Sequence, residues 1–95
     1  RGDVVAVHSL RRGVAEAIEA IAHGDGRLSK VVGRPVEKIK LPPGTTIGAI
    51  VRGDKVLMAH HDTVIAAEDH VILFLQDKRW VAEVEKLFQV PVTFL

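Results

Sequence analysis

Short apolar runs separated by turn signals limit this chain to short strands and helices. No apolar run approaches the roughly 20 residues that a membrane-spanning helix needs, and the chain shows no signal-peptide pattern at its start. The clearest local signal is at Gly53 and Asp54, which separate two segments of alternating apolar residues, 45–52 and 55–59. A two-residue loop that begins with glycine is what a type II′ turn requires. The sequence therefore predicts a β-hairpin over residues 45–59.

The other patterns predict a small α+β fold. Residues 4–7 are apolar and β-branched, as in a short strand. Apolar residues recur at helical spacing from Leu10 to Ile21, which predicts an amphipathic helix with Ser9 as its N-cap and Gly24 at its end. Further predicted elements are short strands over 28–32, 62–65 and 70–75, a single helical turn over 34–39, and a helix capped by Asp77 with Trp80, Val81, Val84, Leu87 and Phe88 on one face.

Composition excludes several classes of protein. The chain has no cysteine, so it has neither disulfides nor a thiolate metal site. With 13 basic and 12 acidic residues and 4% aromatic residues, it lacks the positive field and stacking rings of a nucleic-acid-binding protein. No serine or threonine stands in a nucleophile motif, and the glycines at 24 and 26 follow a predicted helix instead of a strand, which argues against a dinucleotide fingerprint.

Two clusters of side chains remain as candidate sites. His60 and His61, with His70 nearby in sequence, are the only group that resembles a metal site, and surface histidines at a turn are the simpler interpretation. A second set is basic and could together face a small anion or be a solvated surface: Arg27, Lys30, Arg34, Lys38, Lys40 and Arg52.

The order of motifs resembles a known family. The stretches V-V-G-R-P-V-E-K-I-K-L-P-P-G-T-T-I-G-A-I-V-R-G-D-K-V (31–56) and D-T-V-I-A-A-E-D-H-V-I-L-F (62–74) are similar to the C-terminal lobe of regulator-of-potassium-conductance domains, the TrkA-C domain. Residues 1–25 and 87–90 extend the resemblance. It implies a regulator that assembles beneath a potassium-translocating membrane subunit, with NAD or ATP bound on a preceding Rossmann lobe whose glycine-rich fingerprint is absent here.

The resemblance also implies a division of the chain. Residues 1–26 would be the last strand and crossover helix of the preceding lobe, residues 27–90 the TrkA-C domain, and residues 91–95 a tail. Because the chain begins with Arg1 and its only methionine is Met58, we expect it to be a piece of a longer protein. Some relatives bind cyclic di-AMP or divalent cations in this lobe, and the corresponding region here contains Val32, Gly33, Arg34 and Arg52.

The leading hypothesis is a non-enzymatic, cytoplasmic regulatory domain, held at the inner face of the membrane by its transporter partner. It would form a homodimer or higher homo-oligomer through the one-turn helix and the 47–58 hairpin, and self-association would also bury the apolar residues of 4–7 and 10–21. It would hold no metal, no nucleic acid and no cofactor of its own. The alternative is a stand-alone sensor that holds a nucleotide or cyclic dinucleotide with Arg34, Lys38 and Arg52. A third hypothesis is a metal-dependent hydrolase built on the histidines.

Overall fold

The computed structural model describes residues 4–10 and 15–89. They form a five-stranded antiparallel sheet with the strand order β1-β2-β5-β3-β4, followed by one α-helix. The elements are β1 (Val4–Leu10), β2 (Ala15–Ile21), a 3₁₀ turn (Val36–Lys38), β3 (Thr45–Arg52), β4 (Lys55–Met58), β5 (His70–Leu75), a second 3₁₀ turn (Lys78–Trp80) and α1 (Val81–Phe88). The predicted small α+β fold is confirmed. Among the described residues, no helix is long and apolar enough to cross a lipid bilayer.

The predicted helix from Leu10 to Ile21 is wrong, because residues 15–21 form strand β2. This strand lies between β1 and β5 and pairs with both, and its buried residues recur at every second position. Alanine and glutamate favour helices in isolation, but pairing on both edges of the strand overrides that preference. Ser9 consequently lies inside β1 and caps no helix, while Gly24 has the expected positive φ, 87°, after a strand instead of a helix.

Strand β2 contributes to the core of the whole sheet. Ile18 and Ala20 are at most 1% exposed and belong to the same cluster as the buried residues of β3 and β5. The expectation that self-association buries the apolar face of 10–21 is therefore wrong at these two positions, which the chain buries itself. The assignment of residues 1–26 to a preceding lobe stays a prediction, and the predicted tail, 91–95, lies outside the described residues.

The predicted hairpin is present, with one irregularity. Gly53 has a φ of 61° and Asp54 has a negative φ, as a type II′ turn requires, and Arg52 pairs with Lys55 across it. The pairing of β3 with β5 shifts register between Ile47 and Ala49. This bulge changes the alternation of the strand, so that Ile47 and Ile50 are the residues of β3 that face the core.

Two of the predicted short strands are absent. Residues 28–32 form turns, because the Ser29 hydroxyl accepts hydrogen bonds from the N–H groups of Val31 and Val32. Residues 62–65 contain only an isolated bridge between Val64 and Pro35. Strand 70–75 and the helical turn are confirmed, as is the final helix, where the Asp77 side chain accepts from the Arg79 N–H. Its predicted apolar face packs on the core, with Val84 and Phe88 fully buried.

Candidate functional site

A half-buried ion pair joins the end of β3 to the turn before β5. Asp69 is fully buried, and its two oxygens accept hydrogen bonds from Nε and Nη2 of Arg52, each at 2.8 Å. The same carboxylate accepts from the Ala66 N–H at 2.8 Å, and Arg52 Nη2 also donates to the Val64 carbonyl at 3.0 Å. One arginine and one aspartate therefore fix the backbone of residues 64–69.

The electrostatics of this pair favour the ionised carboxylate. Burial alone raises the pKa of Asp69, but the hydrogen bonds from Arg52 and from the Ala66 N–H outweigh it, so the pKa lies below its ordinary value. The hydrogen bond to Asp69 likewise raises the pKa of the Arg52 guanidinium above its ordinary value. Both groups are thus charged across the physiological pH range.

The turn at residues 64–69, once fixed, also holds the segment that contains the one-turn helix. The Gly33 N–H donates to the Ile65 carbonyl at 2.7 Å, and the Ile65 N–H donates to the Arg34 carbonyl at 3.1 Å. Val36 N–H donates to the Thr63 carbonyl and Glu37 N–H to the His61 carbonyl, both at 2.9 Å. Residues 33–37 therefore have their backbone positions set by residues 61–65.

Several basic side chains from this segment surround one concavity. Its volume is about 250 Å³, and it is lined by Lys30, Arg34, Lys38, Lys40 and Leu87. Lys38 and Lys40 flank Ile39, which is buried in the core, so both lysines are directed to the surface. Of the residues that the structure describes, no carboxylate lines this concavity.

The concavity adjoins a second one against helix α1. The second has a volume of about 360 Å³ and shares Lys30, Lys40 and Leu87 with the first. It extends along an apolar wall, with Lys86 and Glu83 at its helix side; the apolar lining residues are Leu41, Pro42, Pro43, Trp80 and Leu87. We call the two together the α1 groove.

The structure separates the predicted ligand-binding residues. Arg34 and Lys38 line the α1 groove, although Arg34 Nη1 is already bonded to the carbonyls of Ser29 and Val32. Val32 is buried in the core. Gly33 has a positive φ, 83°, which suits glycine, and its N–H donates to the Ile65 carbonyl. Arg52 holds Asp69 and does not line the groove.

The sequence did not indicate that side chains near and on helix α1 line a groove. Trp80 and Leu87 were assigned to the packing face of α1, and both do pack against the core. Their remaining surface lines the groove, which a helical wheel does not show, because it depends on how residues 30–43 lie against α1.

The histidines do not converge. The His60 N–H donates to Thr63 Oγ1 at 2.9 Å. His61 Nδ1 lies 3.4 Å from Glu37 Oε1, and His70 Nδ1 lies 2.6 Å from Glu19 Oε2. Within residues 4–10 and 15–89, no three histidine, aspartate or glutamate side chains gather as a group that could ligate a metal ion. The described geometry therefore gives the hydrolase hypothesis no support.

Among the described residues, the face of the sheet opposite the core is exposed and largely apolar. Ile72 and Phe74 alternate with the buried residues of β5, and Ala49 pairs with both Ile72 and Met58, which places these side chains in one row. Val56 and Met58 are each 67% exposed and Phe74 is 46% exposed. An apolar face that is this exposed is typical of an interaction surface. We call it the open face; Glu19 and His70 form a hydrogen-bonded polar pair on it.

Residues 27–89 match the model of the TrkA-C domain. The chain therefore belongs to the TrkA-C domain family, as the resemblance predicted.

Individual relatives carry a more specific name. The chain is 67% identical over 94 residues to the Trk system potassium uptake protein TrkA of Halomonas elongata, covering 99% of this chain and 21% of that protein. It is 64% identical over 95 residues to the protein of the same name from Vibrio alginolyticus, covering 100% of this chain and 21% of that protein. A Methanosarcina mazei homologue is 40% identical over 75 residues, covering 79% of this chain and 16% of that protein. The chain thus spans about a fifth of the length of its first relatives.

Replacing Asp69 by asparagine tests the ion pair. Asp69→Asn removes the charge that faces Arg52, and we expect the free energy of unfolding at pH 7 to fall by about 1–3 kcal/mol. The loss is smaller than for a fully buried pair because the Arg52 side chain is 43% exposed. Urea denaturation of the wild-type chain and the variant measures the difference.

The pH dependence of this difference in the free energy of unfolding shows whether the Asp69 charge causes it. Because the pKa of Asp69 is lower in the folded chain than in the unfolded chain, its contribution is complete above a pH of about 4 and is lost as the pH falls through the lowered value. The gap between wild type and Asp69→Asn should therefore narrow in acid. Asp54→Asn, in the exposed hairpin turn, is the matched control and should change little. A gap that stays constant down to pH 2 would contradict the assignment.

Proposed function

We propose that this chain is the regulatory domain of a potassium uptake system and has no catalytic role. The observation that carries this proposal is the 67% identity over 94 residues to a protein named Trk system potassium uptake protein TrkA. The family match over residues 27–89 supports it as well. In this role the domain acts in the cytoplasm, at the inner face of the membrane, where a potassium-translocating subunit holds the full protein.

The domain works by pairing with a second copy. The open face supports this, since it presents Val56, Met58 and Phe74 to solvent beside the half-buried Ile72. A single small sheet gains stability when a second apolar surface covers such a face. This pairing surface includes the predicted 47–58 hairpin and adds strand β5, while the predicted part of the one-turn helix in pairing stays a prediction.

Pairing gives the domain its regulatory mechanism. A preceding Rossmann lobe of the full protein binds NAD or ATP, and each paired domain holds its own lobe in a fixed position relative to the neighbouring lobe. A ligand that prefers one arrangement of the lobes shifts the population of that arrangement, and the rigid pair transmits the shift to the transporter gate. The domain itself needs no bound cofactor for this task.

A chimera tests the role in potassium uptake. The chain replaces the matching residues of the Halomonas elongata relative, in a bacterial host that lacks its own potassium uptake systems but carries the cognate membrane subunit. We expect growth at low external potassium, and rubidium uptake, close to those of the unmodified relative. The high identity supplies the physical reason, because most contacts of the replaced domain are retained.

The chimera needs a control for folding. A version of the relative that lacks the replaced residues should not support growth. If the chimera accumulates to normal levels and still binds NADH but gives no growth, the proposed role is contradicted.

A charged residue on the open face tests pairing. Met58→Glu places a carboxylate in the apolar row on strand β4, and burying an unpaired charge is costly. We expect the wild-type chain to sediment as a dimer and the variant to associate at least about tenfold more weakly, a loss of about 1.4 kcal/mol or more. Analytical ultracentrifugation over a wide concentration range measures both constants.

Leu28→Glu is the matched control for the pairing test. Leu28 is 46% exposed and lies in a turn outside the sheet, so the same charge is added to an apolar position that the open face does not include. It should leave association unchanged. Equal weakening by both substitutions, or a wild-type chain that is monomeric at every concentration, would overturn pairing through the open face.

A further inference from the structure

We propose that two chains take up protons when they pair through the open face, and that His70 of each chain binds one of them. The hydrogen-bonded pair of Glu19 and His70 lies on this face, and its net charge changes when the imidazole binds a proton. Because this regulation acts on the pairing described above, it rests on the proposed function. Pairing is accordingly tighter at pH 6 than at pH 8.

Glu19 is the only carboxylate that the described strand residues place on the open face. The strand registers and the alternation of side chains define three adjacent rows across this face. The rows are Ala6, Glu19, Ile72, Ala49 and Met58; Ile21, His70, Val51 and Val56; and His8, Ala17, Phe74 and Thr46. These rows contain no lysine or arginine. The charge of Glu19 is therefore balanced on this face only when a histidine is protonated.

The contact between the two side chains shows where the proton binds. His70 Nδ1 lies 2.6 Å from Glu19 Oε2. An ionised carboxylate only accepts hydrogen bonds, so Nδ1 carries a hydrogen and donates it in both charge states of the imidazole. The proton that changes the charge therefore binds at Nε2. The His70 side chain is 38% exposed in the single chain, so the ring is in contact with water before pairing.

Pairing covers Glu19 and His70, and the cost of covering them depends on their charge. An imidazole ordinarily changes its charge between about pH 5 and 8, whereas a glutamate is ionised above about pH 5. At pH 8 each chain therefore brings an uncompensated carboxylate into an apolar interface. At pH 6 the two side chains have opposite charges, and burying such a pair costs less than burying a lone charge. Since pairing favours the protonated imidazole, protonation favours pairing to the same extent.

The other charged groups nearby do not replace this imidazole. The Asp69 carboxylate, the next residue towards the turn, is buried and has Arg52 as its counter-ion. Beyond the ends of β2 and β5, His23 Nδ1 lies 3.0 Å from Glu68 Oε2. On the other side of β2, His8 is exposed on the edge strand β1. Strands β3 and β4 place only uncharged side chains in the three rows.

The pH dependence of association tests the role of His70. Analytical ultracentrifugation of the wild-type chain, at constant ionic strength, should give an association constant about tenfold or more larger at pH 6 than at pH 8. The amide of His70→Gln can still donate a hydrogen bond to Glu19 but cannot gain a charge. This variant should therefore associate equally at both pH values, with a constant close to that of the wild type at pH 8.

Removing the carboxylate should reverse the pH dependence. In Glu19→Gln neither side chain is charged at pH 8, so we expect this variant to associate more tightly than the wild type there. At pH 6 the His70 charge has no carboxylate beside it, so association should weaken as the pH falls. A hydrogen bond that served only the fold would not reverse the direction of the profile. Circular dichroism at both pH values checks that each variant is folded.

His61→Gln is the matched control. His61 Nδ1 also lies near a glutamate, 3.4 Å from Glu37 Oε1, but this residue belongs to the segment between β4 and β5 and not to the open face. The control should keep the wild-type profile, as should His23→Gln and His8→Gln.

The outcomes separate the proposed regulation from pairing itself. A wild-type chain that pairs equally tightly at pH 6 and pH 8 would leave pairing intact and overturn the role of His70. The same conclusion would follow if any of the three control variants lost the pH dependence, or if Glu19→Gln kept the wild-type direction. A wild-type chain that is monomeric at both pH values and at every concentration would overturn pairing as well.

Discussion

The ion pair between Asp69 and Arg52 is the interaction on which the positions of the surrounding loops depend. Strands β3 and β5 are joined by their own ladder and by buried side chains. The segment between β4 and β5 has no such ladder. The pair and its bonds to Ala66 and Val64 fix the turn at residues 64–69, and the turn then offers carbonyl and N–H groups to residues 33–37. Arg34 and Lys38 are therefore positioned, through two steps of hydrogen bonding, by a carboxylate that touches neither.

The two sides of the sheet present different surfaces. On its covered side, α1 and the 30–43 segment pack over the core and leave the basic and apolar groove between them. On its open side, β3, β4 and β5 present a row of apolar side chains, and Phe74 lies so close to Gly48 that a side-chain carbon there would be 2.6 Å from its ring. Glycine at position 48 thus lets the ring lie flat on the sheet.

The sequence contained the local features of this fold but not its long-range ones. Glycine before aspartate at 53–54 predicted the hairpin, because turn chemistry is a property of two residues. Residues 15–21 were misassigned, since Ala15, Glu16 and Ala17 favour a helix and only pairing with β1 on one edge and with β5, far along the chain, on the other makes them a strand. The basic residues were recognised as a set, but Arg52 was grouped with them because its partner Asp69 is 17 positions away. The apolar wall of the groove depends on how two segments pack and has no signal in either segment alone.

Native-state hydrogen exchange of the Asp69→Asn variant at neutral pH tests most directly whether the ion pair positions the loops. The N–H groups of Gly33, Ile65 and Ala66 depend on the fixed turn, whereas that of Leu73 lies in the central strand. We expect the first three N–H groups to exchange faster in the variant by more than the loss of global stability explains. The exchange rate of the Leu73 N–H should change only by the amount that the loss of global stability explains. If all four N–H groups change by the same factor, the pair stabilises the domain as a whole and does not position the segment that lines the groove.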